Sequence, residues 1–356
     1  MPVSPVSVSS KPGHDGCSAR ILVVSLSWLG DCVMAMPALA ALRLHLPGSH
    51  IEMLAKPSVA PLWALFKGVD GVVPLRKGIA GMRDTVREVR KAHYDFAYVL
   101  PKSFRSAWIP FLAGISGRRG MPGHGRDWML SETAAISEAA REGHQSLEIA
   151  DVLHVPHEEL APPPYLTIPD EEKAKALRRM TAVFGREGTD ALPETVAFFP
   201  GAAYGPSKRW PADRFAAVGR KLAREKGWRI LVLGSPGDRT VCEEVSRDIG
   251  SAAVNWAGET GLPELAGLLG LCRAVLSNDS GGMHLAAGLG VRVIGIFGLT
   301  DPVKTAPVGL RSTVLAAGLG RRSRDITRDS AEARAAMESI PADTVYQAMT
   351  DDKIGH

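Results

Sequence analysis

Three stretches of this chain combine residue types that could do chemistry on a charged, oxygen-rich substrate. In Asn278-Asp-Ser-Gly-Gly-Met-His284 a carboxylate, a hydroxyl and an imidazole flank two glycines, and in Pro200-Gly-Ala-Ala-Tyr-Gly-Pro-Ser-Lys-Arg-Trp-Pro211 two glycines accompany Lys208 and Arg209. Ser27-Trp-Leu-Gly-Asp31 sets one carboxylate directly after a glycine. Glycine lets a backbone come close to a ligand and lysine supplies a mobile point charge, so Gly201 and Lys208 belong to a candidate phosphate clamp. The apolar spacing after Gly282 suits a helix. Ser280, Gly281 and Gly282 then fall at a helix N-terminus, where unpaired amides and the helix dipole hold anions. Asp31 and Asp279 are candidates for work beside that anion. The same residue types cap helices, and both readings stand at this point.

The elements that must position these residues follow an α/β pattern. Arg20 to Leu26 is a short β-branched run of the kind found in buried parallel strands. Val33 to Leu46 has helical spacing and ends at Pro47-Gly48, and Ile51 to Ala55 is the next strand, so Asp31 lies in the first strand-to-helix loop. Met82 to Arg90 reads as a helix and Asp95 to Leu100 as a strand. Beyond it, Lys102, Arg105, Arg118, Arg119, His124 and Arg126 fall in polar, glycine-rich segments. Flexible basic loops on such a scaffold suit a phosphorylated or carboxylated substrate, and solvated surface charge is the alternative. Ala161 to Pro169, with three consecutive prolines, marks the end of a first domain.

A second α/β unit opens with the strand Thr195 to Phe199. Strands at Trp228 to Gly234, Val254 to Trp256 and Arg273 to Leu276 follow, and Val291 to Phe297 is expected to close the sheet. The expected division is a loose tail over 1–18, an N-terminal Rossmann-like domain over 19–167 and a linker helix and loop over 168–194. A C-terminal Rossmann-like domain over 195–335 and a helix over 336–356 packing back across the domains complete it. Ligands of open α/β sheets bind at the carboxyl ends of strands, where all three stretches fall.

Composition narrows the function classes. With 356 residues, 45% hydrophobic and 22% charged, the chain is long enough for two ordinary cores. A net charge of +4 argues against a dedicated nucleic-acid binder but allows an anionic substrate. Cys17, Cys32, Cys242 and Cys272 form no Cys-x-x-Cys pair, so neither a disulfide framework nor a structural zinc site is expected. No apolar run reaches the roughly 20 residues of a membrane-spanning helix, and the first 18 residues lack a signal-peptide core. A cytoplasmic monomer is the expectation. Neither Gly-x-Gly-x-x-Gly after the first strand nor Gly-x4-Gly-Lys-Ser/Thr is present, which argues against a dinucleotide-binding dehydrogenase and a P-loop enzyme. A nucleotide diphosphate leaving a sugar carbon fits the remaining pieces. Lys208 and the amides at 280–282 would take its charge, and Asp31 would accept the proton of an incoming hydroxyl.

Six co-ordered stretches carry a resemblance. They are Ser27–Asp31, Tyr98–Ser106, Pro200–Pro211, Leu231–Ser235, Ala257–Thr260 and Asn278–His284. Together they resemble the ADP-heptose:lipopolysaccharide heptosyltransferases of glycosyltransferase family 9, most closely the heptosyltransferase II branch. The resemblance implies a GT-B fold of two Rossmann-like domains facing across a cleft. It implies metal-independent, inverting transfer from ADP-L-glycero-D-manno-heptose to the inner core of lipopolysaccharide, with no cofactor, at the cytoplasmic face of the inner membrane. By position, Asp31 corresponds to the catalytic base, Lys208 to the phosphate-binding lysine, and Asp279, Ser280, Gly281 and His284 to the donor signature, with Glu259 on the same donor side. Lys102, Arg105 and Arg119 would then meet an anionic acceptor. Arg118–Thr133 and Leu310–Arg334 depart from the branch's pattern. A family member with another sugar or acceptor, a GT-B-like sugar-nucleotide epimerase and a non-catalytic nucleotide-sugar binding protein are the competing readings.

Overall fold

The structure is a computed structural model that describes residues 19–185, 192–202, 205, 208–298, 300–317 and 330–351. The expected tail over 1–18 lies outside them, as do parts of the loop before Glu194 and of Leu310–Arg334. The chain divides into two compact units. One runs to Ser27 and again over Ala35–Ala161, and the other holds Trp28–Met34 and the chain from Pro162 onward.

The first unit is built on β1 Arg20–Val24, β2 His50–Ala55, β3 Gly71–Pro74, β4 Phe96–Val99, β5 Gly117–Gly120 and β6 Glu132–Thr133. These pair in the order β3-β2-β1-β4-β5-β6, every pair parallel. The order reverses between β1 and β4, so the loops leaving those two strands flank a crevice of the kind in which such sheets bind ligands. Leu22, Ala97 and Val99 are fully buried and anchor a core that the helices Gly78–Lys91 and Phe104–Ala113 cover. Burying each such aliphatic side chain contributes about 1.5–3 kcal/mol.

The second unit repeats the plan with β7 Thr195–Phe199, β8 Arg229–Val232, β9 Ala253–Asn255, β10 Ala274–Asn278, β11 Arg292–Phe297 and β12 Ser312–Ala316. They run in the order β12-β11-β10-β7-β8-β9, all parallel, and here the reversal falls between β7 and β10. β7, β10 and β11 are buried along their whole length, which explains the apolar runs Val196–Phe199, Ala274–Leu276 and Val293–Phe297 within them. The two doubly wound sheets expected from the sequence are both present.

The structure corrects the sequence reading at particular elements. β11 is not the edge of its sheet, because Ser312–Ala316, a β-branched segment, pairs alongside it. Gly117–Gly120 is a strand rather than part of a flexible basic loop, paired with β4 on one side and β6 on the other. The units change at Ala161 and Pro162 rather than at residue 167, since Tyr165 N–H donates to the Gly288 carbonyl at 2.8 Å and ties the proline-rich segment to the second unit. The helix Asp170–Phe184 joins that unit too: Arg179 pairs with Glu264 at 2.8 Å and lies 4.1 Å from the Trp256 ring centroid. The C-terminal helix Ala342–Thr350 packs on Ala212–Lys226, with Arg292 donating to the Ala348 carbonyl at 2.7 Å.

One buried side chain couples the loops after β7 and β10. Asn278, at the end of β10, is fully buried. It accepts from the Trp210 backbone N–H at 3.0 Å and donates to the Pro200 carbonyl at 2.8 Å. A replacement without the amide leaves both backbone groups unsatisfied, and each such group costs about 1–3 kcal/mol. Asn278→Ala is expected to lower unfolding free energy by about 2–4 kcal/mol in a urea titration, and a loss too small to resolve would show that the tether is not structural.

Candidate donor and acceptor sites

The switch point of the second sheet gathers most of the donor-side residues singled out in the sequence. β10 ends at Asn278, Asp279 follows, and the helix Gly281–Gly288 begins two residues later with Ser280 as its N-cap. Ser280 does not cap with its own side chain; its hydroxyl lies 2.9 Å from that of Ser277. The first-turn amides of this helix are therefore left without a side-chain cap, the arrangement that favours an anion. Gly282 is fixed by space, since a Cβ there would stand 2.4 Å from the Phe199 ring.

Lys208 arrives from the loop after β7 and meets Asp279, Nζ to Oδ2, at 2.9 Å. Both side chains are largely buried, at 18% and 11% exposure. His284 is buried one helical turn along, with Nε2 3.7 Å from the other Asp279 oxygen, an ion-pair distance rather than a direct hydrogen bond. Its Nδ1 is buried and has no hydrogen-bond partner among the described residues. Burial by itself would raise the Asp279 pKa, but His284 and Lys208 outweigh it and hold the carboxyl well below the usual carboxylate range. Asp279 is thus an anion at any physiological pH, neutralised by a lysine at the mouth of a helix. A carboxylate held in this way is a weak base.

Asp31 lies in the first turn of the helix Leu29–His45. That turn is part of Trp28–Met34, which groups with the second unit. The reason is a close approach: a Cβ on Gly30 would lie 2.7 Å from Cδ2 of His284, and one on Gly281 would lie 3.0 Å from Cβ of Leu29. The absence of side chains on both glycines lets the two helix starts touch. Asp31 therefore sits one residue from the His284 contact, half-buried.

The remaining donor-side residues line the same carboxyl edge farther along. Gly201 packs on the turn after β8, where a Cβ would meet the Asp238 carboxyl carbon at 2.2 Å. Arg209 reaches the same carboxylate at 3.3 Å. Glu259 follows β9 and pairs with Arg179 at 2.8 Å. The loops after β10, β7, β8 and β9 thus form one continuous rim. Arg209 was noted beside Lys208, but Asp238 and Asn278 were not singled out individually from the sequence. Asn278 carried a signal, as a polar residue closing an apolar strand.

On the first unit, Lys102 follows β4 and pairs with Glu148 at 2.7 Å. Both line an open pocket of about 410 Å³ at the carboxyl ends of β4, β5 and β6, with Arg141, Met121 and Ile136. Arg105 is exposed at the start of the helix Phe104–Ala113. Arg119 does not join them. It points into the protein at 4% exposure, donates to the Val152 carbonyl at 2.9 Å and to that of Asp151 at 3.1 Å, and pairs with Glu132. Arg126 is fully buried and bonds the Met121, Pro101 and Ser103 carbonyls, so it holds the Lys102 loop in place. Lys102, Arg105 and Arg141 are thus exposed at the pocket and helix start, whereas Arg118, Arg119 and Arg126 brace the backbone.

Cys242 and Cys272 are buried and their thiols are pushed up to about 12 by burial, so neither is a nucleophile at neutral pH.

Comparison with known proteins gives these sites a context. The family model for glycosyltransferase family 9 (heptosyltransferase) matches residues 82–333. The chain is 31% identical to lipooligosaccharide heptosyltransferase 2 of Haemophilus influenzae over 313 residues, spanning 83% of this chain and 88% of that protein. It is 30% identical to lipopolysaccharide heptosyltransferase 2 of Escherichia coli over 312 residues, 83% of this chain and 87% of that protein. Among solved structures, ADP-heptose lps heptosyltransferase II of E. coli superposes with a TM-score of 0.75 at 26% identity, covering 93% of this chain and 98% of the other, in keeping with a GT-B-like fold. With two doubly wound parallel sheets and relatives matched over most of their length, this chain belongs to glycosyltransferase family 9, the heptosyltransferase family.

Proposed function

We propose that this protein transfers L-glycero-D-manno-heptose from ADP-heptose to the inner core of lipopolysaccharide, as a heptosyltransferase II, working in the cytoplasm at the inner face of the membrane. The observation that carries this reading is identity of 30–32% to proteins named heptosyltransferase 2 over 83% of the chain. The site chemistry supports it independently. A diphosphate leaving a sugar carbon needs a cation and amide donors where its charge develops, and Lys208 stands beside the uncapped start of the helix Gly281–Gly288. Asp279 keeps Lys208 in place and is available to donor hydroxyls.

In the proposed reaction an acceptor hydroxyl attacks the anomeric carbon as the bond from that carbon to ADP breaks, with inversion. Asp31 takes the hydroxyl proton. Its place beside the His284 helix start supports that role, and the lowered Asp279 pKa makes the other carboxylate the weaker base. Lys208 supplies the positive charge at the leaving group, so transfer without a metal ion is part of the proposal. The pocket of Lys102, Arg141 and Glu148 suits a sugar with an anionic substituent: cations for the anion, a carboxylate for hydroxyls. Arg105 adds an exposed charge nearby, whereas Arg119 braces the strand from inside.

Three measurements test this. In a thermal-shift panel, ADP is expected to raise the melting temperature more than UDP or GDP at equal concentration; equal shifts would remove the adenine-donor reading. Asp31→Asn is expected to bind ADP as the wild type does and to turn over at least about 100-fold more slowly, and normal turnover would sink the general-base assignment. Lys102→Ala is expected to raise the acceptor KM by about tenfold, the loss of one charge-assisted bond, with the donor KM unchanged. A shift in the donor KM alone would move Lys102 out of the acceptor site.

A further inference from the structure

The helix Phe104–Ala113 and the single 3-10 turn Asp127–Met129 carry an aromatic surface that the transfer chemistry does not use. Phe104, Trp108, Phe111 and Trp128 form a connected cluster with ring centroids 5.0–6.5 Å apart. Trp128 is 59% exposed and Phe104 42%. Trp108 and Phe111 pack against the core that Ala107, Ile109 and Met129 fill from the same two elements, whereas Phe104 and Trp128 carry the cluster outward to solvent. The Trp128 indole N–H is satisfied by the Gly125 carbonyl at 3.0 Å, so what the ring offers outward is apolar.

Charge around the cluster is mainly positive. Arg118 stands 5.5 Å from the Phe111 ring centroid and is pinned by the Met129 carbonyl at 2.6 Å. Exposed Arg105 lies beside Phe104 in the chain, and exposed Arg90 donates to the Leu112 carbonyl at the far end of the helix. The acidic side chain on these two elements is Asp127, one of whose carboxylate oxygens accepts from the Gly123 N–H at 2.7 Å. Exposed aromatic rings flanked by arginine match the interfacial zone of an anionic bilayer. Among the described residues no helix is long and apolar enough to cross a membrane, so attachment by these helices would be to the surface.

We infer that the Phe104–Trp108–Phe111–Trp128 cluster is the surface by which this protein docks on an anionic lipid bilayer. The choice of a bilayer as occupant rests on the proposed lipid-linked acceptor, and the position of the cluster agrees with it. Phe104 begins two residues after Lys102, so the aromatic surface adjoins the pocket assigned to the acceptor's sugar. The exposed rings Phe104 and Trp128 enter the headgroup layer, exposed Arg105 meets lipid phosphates, and the acceptor pocket is brought to the level where an anchored oligosaccharide projects.

The test is flotation of the full-length protein with phosphatidylethanolamine vesicles, with and without phosphatidylglycerol and free of any acceptor. The wild type is expected to float with the anionic vesicles and to be released by salt. Trp128→Ser combined with Phe104→Ser is expected to weaken binding at least about tenfold, as loss of two buried aromatic side chains implies, while ADP binding and melting temperature stay unchanged. A second arm compares transfer to a vesicle-embedded acceptor with transfer to the lipid-free oligosaccharide, and only the first should fall in the variant. Failure of the wild type to float, or equal flotation of the variant, overturns the docking surface whatever the transfer assay shows. Self-association abolished by the substitutions, without vesicle binding, overturns it in favour of a contact between copies. Absence of heptose transfer with intact vesicle binding would count against the proposed function and leave the surface standing.

Discussion

The ion pair between Lys208 and Asp279 is the contact on which the donor side depends. It joins the loop after β7 to the residue that follows β10, at the place where strand order reverses in the second sheet. Two mostly buried charges are costly to hold apart from water, and an unpaired partner would be more costly still. The pair therefore fixes where the lysine can be. Asn278 makes the same connection one residue earlier through neutral hydrogen bonds, so the positions of the two loops are set twice over. The helix that starts at Gly281 adds its amides to this frame, and the absence of a Ser280 side-chain cap keeps them for a ligand.

Glycine explains why Asp31 belongs to this neighbourhood. Its helix could not approach the start of the helix Gly281–Gly288 if either Gly30 or Gly281 carried a side chain. His284 fills the junction, packed against Gly30 and facing Asp279. One imidazole thus lies between the residue adjoining the proposed base and the residue that orders the phosphate lysine. The separate tasks proposed for the two carboxylates rest on their different surroundings. Asp279 is locked in its charged form, and Asp31 sits half-buried in a first helical turn.

Much of this was legible in the sequence, for physical reasons. Buried parallel strands such as Thr195–Phe199 and Ala274–Asn278 declare themselves as short apolar runs, and the glycine-bearing polar turns after them mark strand ends. The grouping of Lys208 with Asp279 followed from both lying on such turns. Short edge strands were not legible: Gly117–Gly120 consists of two glycines and two arginines, and nothing in its composition distinguishes it from a loop. Arg119 was misjudged for the same reason, since a strand residue alternates between faces and this one faces inward, onto Glu132 and two carbonyls. Arg126 and Arg118 likewise brace the backbone. A count of basic residues in a polar segment cannot tell a brace from a binding group; the Val152 and Asp151 carbonyls that claim Arg119 and the Pro101 carbonyl that claims Arg126 come from elements distant in sequence.

The central claim is that Lys208, held by Asp279 at the start of the helix Gly281–Gly288, is a diphosphate clamp. Calorimetric titration of Lys208→Met with ADP and with adenosine tests it most directly, because the two ligands differ only in the group the lysine should hold. ADP affinity is expected to fall at least about tenfold, the worth of one charge-assisted hydrogen bond, while adenosine affinity is unchanged. Equal losses for both ligands, or no loss for ADP, would contradict it.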